Sequence, residues 1–291
     1  MKKHRRASIN LFYIPALILF VVFVLYPLIR GVKISFTNWN GYSQSYKYVG
    51  FSNYLRMLKD EKLKIALRNT LIYGGVSTIL QNVIGLGYAL LLNMKLKGRM
   101  FMRTIIYMPA MVAALIMGYV MYFFFQYNNG AINDIVMLFG FDKVDFMANG
   151  NRAVWIMTLV NSLQYVGCAM IVYMAGLQNI PKMYYEAAEL DGVSPFQRFR
   201  YITLPLLEPA INTAVVTNLI GGLKLFDIIN AMTKGGPGNT THSLSSMVSY
   251  QYLNKESAGY ASAIGLISFL LILVLANLLM SFFKKREVNL S

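Results

Sequence analysis

Six stretches of the chain are dominated by apolar residues: Leu11–Ile29, Leu71–Leu92, Ile105–Phe125, Val154–Leu177, Leu206–Met232 and Ala261–Phe283. At about 1.5 Å of rise per residue, each is long enough to cross a hydrocarbon core of about 30 Å as a helix. Their interiors hold Gly, Pro, Asn and Gln instead of alternating polar and apolar positions. That pattern suits helices packed on one another and argues against a barrel of strands. The pattern therefore predicts an all-α integral membrane protein with six transmembrane helices, forming a single transmembrane domain over residues 1–291. The first run is long and no small-residue cleavage site follows it, so it is read as a retained span and not a removed signal peptide.

Between the fourth and fifth runs lies a polar elbow, residues 182–205. Pro181 suits a first helical turn, and Lys182–Leu190 follows as a short helix with Met183, Ala187 and Leu190 on one face and Glu186 and Glu189 on another. Asp191-Gly192 supplies a stop, since glycine accepts the left-handed conformation that ends helices. Ser194-Pro195-Phe196-Gln197 restarts one, with Ser194 as N-cap and Gln197 three residues later completing a capping box. Pro205 is expected to end the segment. Two readings of this hairpin stand: a surface hairpin anchored by Arg198 and Arg200, or a docking piece that offers Glu186 and Glu189 to a basic protein partner.

Composition fits a membrane chain: 56% of 291 residues are hydrophobic and 13% charged. The net charge of +15 is explained by basic residues that flank the spans and hold their orientation, with no need for nucleic acid. Lys2, Lys3, Arg5 and Arg6, then Lys95, Lys97, Arg99 and Arg103, then Lys284, Lys285 and Arg286 fall on one side of a six-span chain. That side is expected to be cytoplasmic, with both termini and the elbow on it. The first outer loop, with Lys33, Lys47, Arg56, Lys59, Lys62, Lys64 and Arg68, runs against this rule; it is longer and also holds Asp60 and Glu61. Cys168 is the single cysteine, so no intramolecular disulfide forms. His4 and His242 are too few and too distant for a metal site. No G-x-x-x-x-G-K-[ST] loop occurs, so ATP hydrolysis is not expected of this chain, nor any cofactor or catalytic residue.

Glu186-Ala187-Ala188, then Gly192, then Ile202, Leu204 and Pro205 resemble the EAA loop of binding-protein-dependent permeases, the membrane subunits of type I ABC importers. Phe226-Asp227, Thr233-Lys234-Gly235-Gly236-Pro237, Thr241, Leu244, Tyr250 and Gly259–Ala263 resemble the maltose-type sugar permeases, as do Phe51–Tyr54 and Asn69-Thr70 nearer the front. The resemblance implies a multi-pass subunit in the plasma membrane of a bacterium. Its partners would be cytoplasmic ATP-binding subunits, a second, homologous permease, an extracellular solute-binding protein and a carbohydrate cargo. It also implies that the elbow is the coupling helix seated in a cleft of the ATPase.

A neutral sugar needs amides and an aromatic face among otherwise self-satisfied spans. Asn161, Gln164, Tyr165 and Cys168 fall at i, i+3, i+4 and i+7 on the fourth span, and Asn218 and Gly222 at i and i+4 on the fifth, followed by Phe226 and Asp227. Counted from Glu186, these stripes coincide with the sugar contacts of the maltose-type permeases, although several identities differ. The alternative is that the amides only bond across helices. Lys224 and Asp227 are expected either to pair or to face a wet cavity. Gln81, Asn82, Tyr122 and Phe123–Phe125 are read as packing and interface residues. Other cargoes of the same superfamily, a polyamine or phosphate, remain open, as does an ion-coupled carrier, though no internal repeat supports the latter.

Overall fold

The computed structural model describes residues 13–94 and 96–287. Lys2, Lys3, Arg5, Arg6 and Lys95, and the first two residues of the expected first span, lie outside them. Among the described residues the chain is helical, with one isolated bridge between Thr37 and Tyr48. Five helices are long and apolar enough to cross a membrane: Ile14–Ser35, Glu61–Asn93, Gly150–Asn179, Glu208–Met232 and Ala258–Lys284. A sixth crossing is a broken one, Arg99–Met111 followed by Ala114–Phe124, bent by 97°. We number these spans one to six in chain order, the broken pair being span three.

Two spans are thus not simple rods. In span three, Pro109 has no N–H to give to the preceding turn, and the backbone opens at Val112 and Ala113, with ψ of 133° and 134°. In span five the helix Glu208–Leu223 stops at Lys224, and a second, Asp227–Met232, restarts after Phe226. An apolar run alone reads as continuous through both places, which is why the sequence pattern shows neither break.

The chain divides into two compact units, residues 1–60 with 247–269, and residues 61–246 with 270–291. In the first, the loop after span one is pinned by Asn53, whose Nδ2 donates to the carbonyls of Ser35 and Thr37 at 2.8 and 2.9 Å. Phe36 packs on Phe51 and Tyr54, and the Tyr260 hydroxyl donates to Asp60 at 2.8 Å under the Arg56 guanidinium.

In the second unit, spans two, four and five pack through small residues, as membrane helices do when close approach supplies the attraction. Gly85 of span two lies against Val166, Ala169 and Met170 of span four, and Gly222 of span five against Tyr73, Gly74 and Ser77 of span two. One buried cluster gathers Tyr73, Met157, Ile228 and Ile229, and another Ala89, Tyr173, Leu177 and Leu207. Gly118 meets Ile228 and Ala231, so the later halves of spans three and five pack on each other.

The loop after span five is folded tightly on span two. Asn69 Nδ2 donates to the carbonyls of Thr240 and His242 at 2.7 and 3.1 Å, and the Tyr73 hydroxyl to that of Thr241 at 2.9 Å. Thr70 Oγ1 accepts from the Leu244 N–H at 2.8 Å. Gly235, at φ +87°, is where a Cβ would strike the His242 ring. This gives Asn69 and Thr70, and the Thr-Lys-Gly-Gly-Pro run, a shared physical role: each satisfies or shapes the same loop.

Burial pushes the His242 imidazole down to about 4, from 6.5. Between those values the unfolded chain binds the proton and the folded chain does not, so stability falls as pH drops through that window, by roughly 3 kcal/mol in full. Thermal unfolding in detergent between pH 7 and 4.5 should show this loss in the parent, and a His242→Asn variant should have the flatter profile.

Candidate functional site

The two breaks open on one cavity of about 450 Å³. Its wall is formed by Gln81 of span two, Ala114 at the break of span three, Asn161, Tyr165 and Cys168 of span four, and span five from Thr217 through Asp227. Six of the seven side chains expected at a sugar site therefore lie around one space: Asn161, Tyr165, Cys168, Asn218, Gly222 and Asp227. The helical stripe explains the grouping on span four, since Asn161, Tyr165 and Cys168 stay within a narrow arc of the helix.

Gln164 is at the edge of that arc and does something different. Its Nε2 donates at 3.0 Å to the carbonyl of Val112, the residue at which span three opens. The break in span five is covered in the same manner, because Ser243 Oγ donates to the Leu225 carbonyl at 2.6 Å. Gly222 reaches the cavity but also sits where a Cβ would meet the Tyr73 carbonyl and Ser77 Oγ, both at 2.8 Å. Its small size is required for spans two and five to touch.

One amide of the wall was not expected from the pattern. Gln81 is 2% exposed; its Nε2 donates to the Asn161 carbonyl at 3.0 Å, while its Oε1 has no partner among the described residues. Its neighbour Asn82 differs: Nδ2 donates to the Thr78 carbonyl, and Oδ1 accepts from the Tyr173 hydroxyl at 2.6 Å. Asn82 is a packing amide, whereas Gln81 is half satisfied and borders the cavity. Lys224 and Asp227 both border the cavity, and no ion pair joins them among the described residues. Of the two expectations for this pair, the structure has the cavity. One cation and one anion leave its lining without net charge.

The elbow has the geometry its residues specify. Lys182–Leu190 is a helix closed at Gly192, φ +66°, with Val193 N–H on the Ala188 carbonyl at 3.0 Å and Gly192 N–H on that of Glu189 at 3.2 Å. This is the Schellman arrangement, which a glycine at the left-handed position permits. Ser194 and Gln197 cap the next helix reciprocally. Pro205 does not end the segment: helical backbone of α and π type runs over residues 195–206, and the break falls at Leu207. Pro205 stands inside that run, two residues after the π-type turn Phe199–Thr203, and the helical backbone ends one residue beyond it.

Glu189 is not left for a partner alone, since it meets Arg198 across the bend at 3.1 Å. Glu186 and Ala187 are exposed, Ala188 is buried, and Ile202, Leu204 and Pro205 are half-buried at the root of the elbow. The outer surface of the bend is apolar: Leu190 is 90% exposed, and Met183, Phe196 and Tyr201 are also open. A cleft of about 350 Å³ joins the end of span two, at Leu90, Asn93 and Met94, to Tyr185 and Arg198 of the elbow. The elbow and the turn after span two therefore share one end of this unit, and the loop around His242 occupies the other.

Comparison with known proteins gives a consistent picture. The family described as "Binding-protein-dependent transport system inner membrane component" matches residues 81–288. The chain is 34% identical over 272 residues to the trehalose/maltose transport system permease protein MalF of Thermococcus litoralis, covering 93% of this chain and 92% of that one. It is 36% identical over 278 residues to the multiple sugar-binding transport system permease protein MsmF of Streptococcus mutans, covering 95% of each. In fold it is similar to a chain of a bacterial ABC transporter involved in the import of the acidic polysaccharide alginate, with a TM-score of 0.84 at 24% identity, over 97% and 96% of the two chains.

Replacing Gln164 by Leu would strip the Val112 carbonyl of its donor. A buried carbonyl left unpaired costs about 1–3 kcal/mol, so a lowered unfolding temperature in detergent is expected for Gln164→Leu, with Leu163→Ala, on the outward face of the same helix, much closer to the parent.

Proposed function

Because the chain belongs to the family of binding-protein-dependent transport system inner membrane components, we propose that it is the membrane-spanning subunit of an ATP-driven importer and passes a sugar or oligosaccharide through the cavity between its broken spans. The observation that carries this reading is the lining of that cavity: amides from three different spans, a tyrosine and a phenylalanine ring, and no net charge, all within an apolar bundle. Amides and rings are what hydroxyl-rich, neutral pyranoses bind. The balance of Lys224 against Asp227 favours such a cargo over a polyamine or a phosphate. The sugar permeases among its relatives, MalF and MsmF, support the same class.

Orientation follows from charge. The elbow end carries Lys97, Arg99, Arg103, Arg198 and Arg200, so it is assigned to the cytoplasm, with both termini on that side of a bacterial plasma membrane. The opposite end, with the loop around His242, faces an extracellular binding protein that delivers the sugar. The chain itself is not assigned an enzymatic role; hydrolysis belongs to separate ATP-binding subunits, and a second permease completes the path.

The elbow is the coupling helix. Its exposed apolar surface, Met183, Leu190, Phe196 and Tyr201, would be buried in a cleft of the ATPase, and Glu186 would meet a basic residue at the rim. The Schellman turn at Gly192 is what presents that surface, because it reverses the chain between the two short helices.

Two substitutions test the assignment in the assembled transporter. Asn161→Ala should lower sugar uptake by about tenfold or more, through loss of a hydrogen bond in a desolvated site, while the permease still co-purifies with its partners. Parent-level uptake would make Asn161 a helix–helix contact. Gly192→Val should reduce co-purification of the ATPase more than Glu186→Ala does, since valine is strained at positive φ and a rim ion pair is worth at most about 1 kcal/mol. Nothing stands within 4 Å of a Cβ at Gly192, so the variant isolates backbone strain from steric clash. Co-purification unchanged by Gly192→Val would return the elbow to a surface hairpin.

A further inference from the structure

Gln81 was expected to be a packing residue, and its geometry shows why that is incomplete. The Asn161 carbonyl can only accept, so the Gln81 amide must turn its nitrogen toward it. That fixes the flip of the amide and leaves Oε1, an acceptor, with no donor among the described residues. On span five, Asn218 is 8% exposed and its Nδ2, a donor, has no acceptor among the described residues.

These two atoms belong to facing positions. Gly222 lies against Tyr73, Gly74 and Ser77, and Leu223 against Gly74, while nearer the elbow Leu207 and Ala214 share a cluster with Ala89 and Leu92. Spans two and five therefore run antiparallel. One helical turn on from Ser77 is Gln81, and one turn back from Gly222 is Asn218, so the pair falls at one depth, and both residues line the cavity. Each of them holds one buried amide atom without a partner among the described residues; a single group that gives and takes a hydrogen bond, inserted between them, would satisfy both.

We propose that Gln81 is a substrate-contacting residue, and that Gln81 Oε1 and Asn218 Nδ2 together bind one hydroxyl group of the transported sugar. The hydroxyl donates to the glutamine oxygen and accepts from the asparagine nitrogen, and each of these bonds strengthens the other through the shared oxygen. Span two, which carries no other amide on the cavity wall, thereby becomes part of the recognition surface. A cargo with a methyl or a hydrogen at that position would leave both buried amides unpaired, and sites of this kind reject such analogues strongly. This assignment rests on the reading of the chain as a sugar permease.

The test is uptake by the assembled transporter and its binding protein in proteoliposomes, with radiolabelled maltotriose, trehalose, raffinose and arabinotriose as separate probes. For a probe that the parent carries, Gln81→Met and Asn218→Leu should each lower uptake by roughly tenfold, and the double variant should be little worse than the poorer single one. The one monodeoxy form of that probe that the parent carries poorly should be carried no worse by Gln81→Met than by the parent, because both contacts serve that hydroxyl and not each other. Gln81→Met at the parent rate would overturn the role of Gln81 and leave the sugar reading intact. Two losses that multiply would also overturn it, since independent effects on packing add in free energy. Parent complex that carries none of the four would remove the sugar reading and this proposal with it. If Gln81→Met fails to assemble, the monodeoxy derivatives of the carried probe decide on the unaltered complex: one position whose deoxygenation costs about tenfold supports the shared hydroxyl, and a flat series refutes it.

Discussion

Inside a bilayer every backbone N–H and C=O must find a partner within the protein, and this requirement shapes the centre of the molecule. Spans three and five both break at mid-course, freeing carbonyls that no helix can use. Gln164 answers the one at Val112, and Ser243 the one at Leu225. With those two hydrogen bonds in place, non-helical backbone becomes tolerable at depth, and the space it opens is a cavity with a few amides and two charges set in a largely apolar wall.

The remaining features follow from the need to hold these breaks in register. Span four supplies Gln164 from one edge of a helical stripe and turns Asn161, Tyr165 and Cys168 into the cavity from the rest of it. Ser243 is carried by the loop that Asn69, Thr70 and Tyr73 fasten to span two, so the covering of the second break depends on a long-range anchor. The later halves of the broken spans meet at Gly118, where only a small residue allows contact. At the elbow end, Leu207 is fully buried just before span five, beside Gly176 of span four.

Much of this is legible in the sequence, for identifiable reasons. Hydropathy marks the crossings because lipid leaves few other ways to place long apolar runs, and Gly192, Ser194 and Gln197 are legible because turn and cap chemistry is local. The breaks are not legible in that way: Val112-Ala113 is as apolar as its surroundings, and the opening depends on a side chain 52 residues later in the chain. Gln81 and Asn82 show the same limit at closer range. Adjacent and chemically alike, they are separated only by which neighbour each helix face meets, Asn82 finding Tyr173 and Gln81 finding the cavity. Pro205 reads as a stop, yet helical backbone runs through it from Pro195 and breaks two residues later, at Leu207.

The claim at the centre of this account is that the two breaks border water, not lipid. Cysteines placed singly at Ala114 and Thr217, in a Cys168→Ser background within the assembled transporter, test it directly through their reaction with a small, permanently charged methanethiosulfonate in native membranes. Both positions line the cavity, so both should be modified readily, and a cysteine at the outward-facing Leu163 should not. Reaction at Ala114 and Thr217 only with a membrane-permeant, uncharged maleimide would place the breaks in an apolar environment and contradict the account.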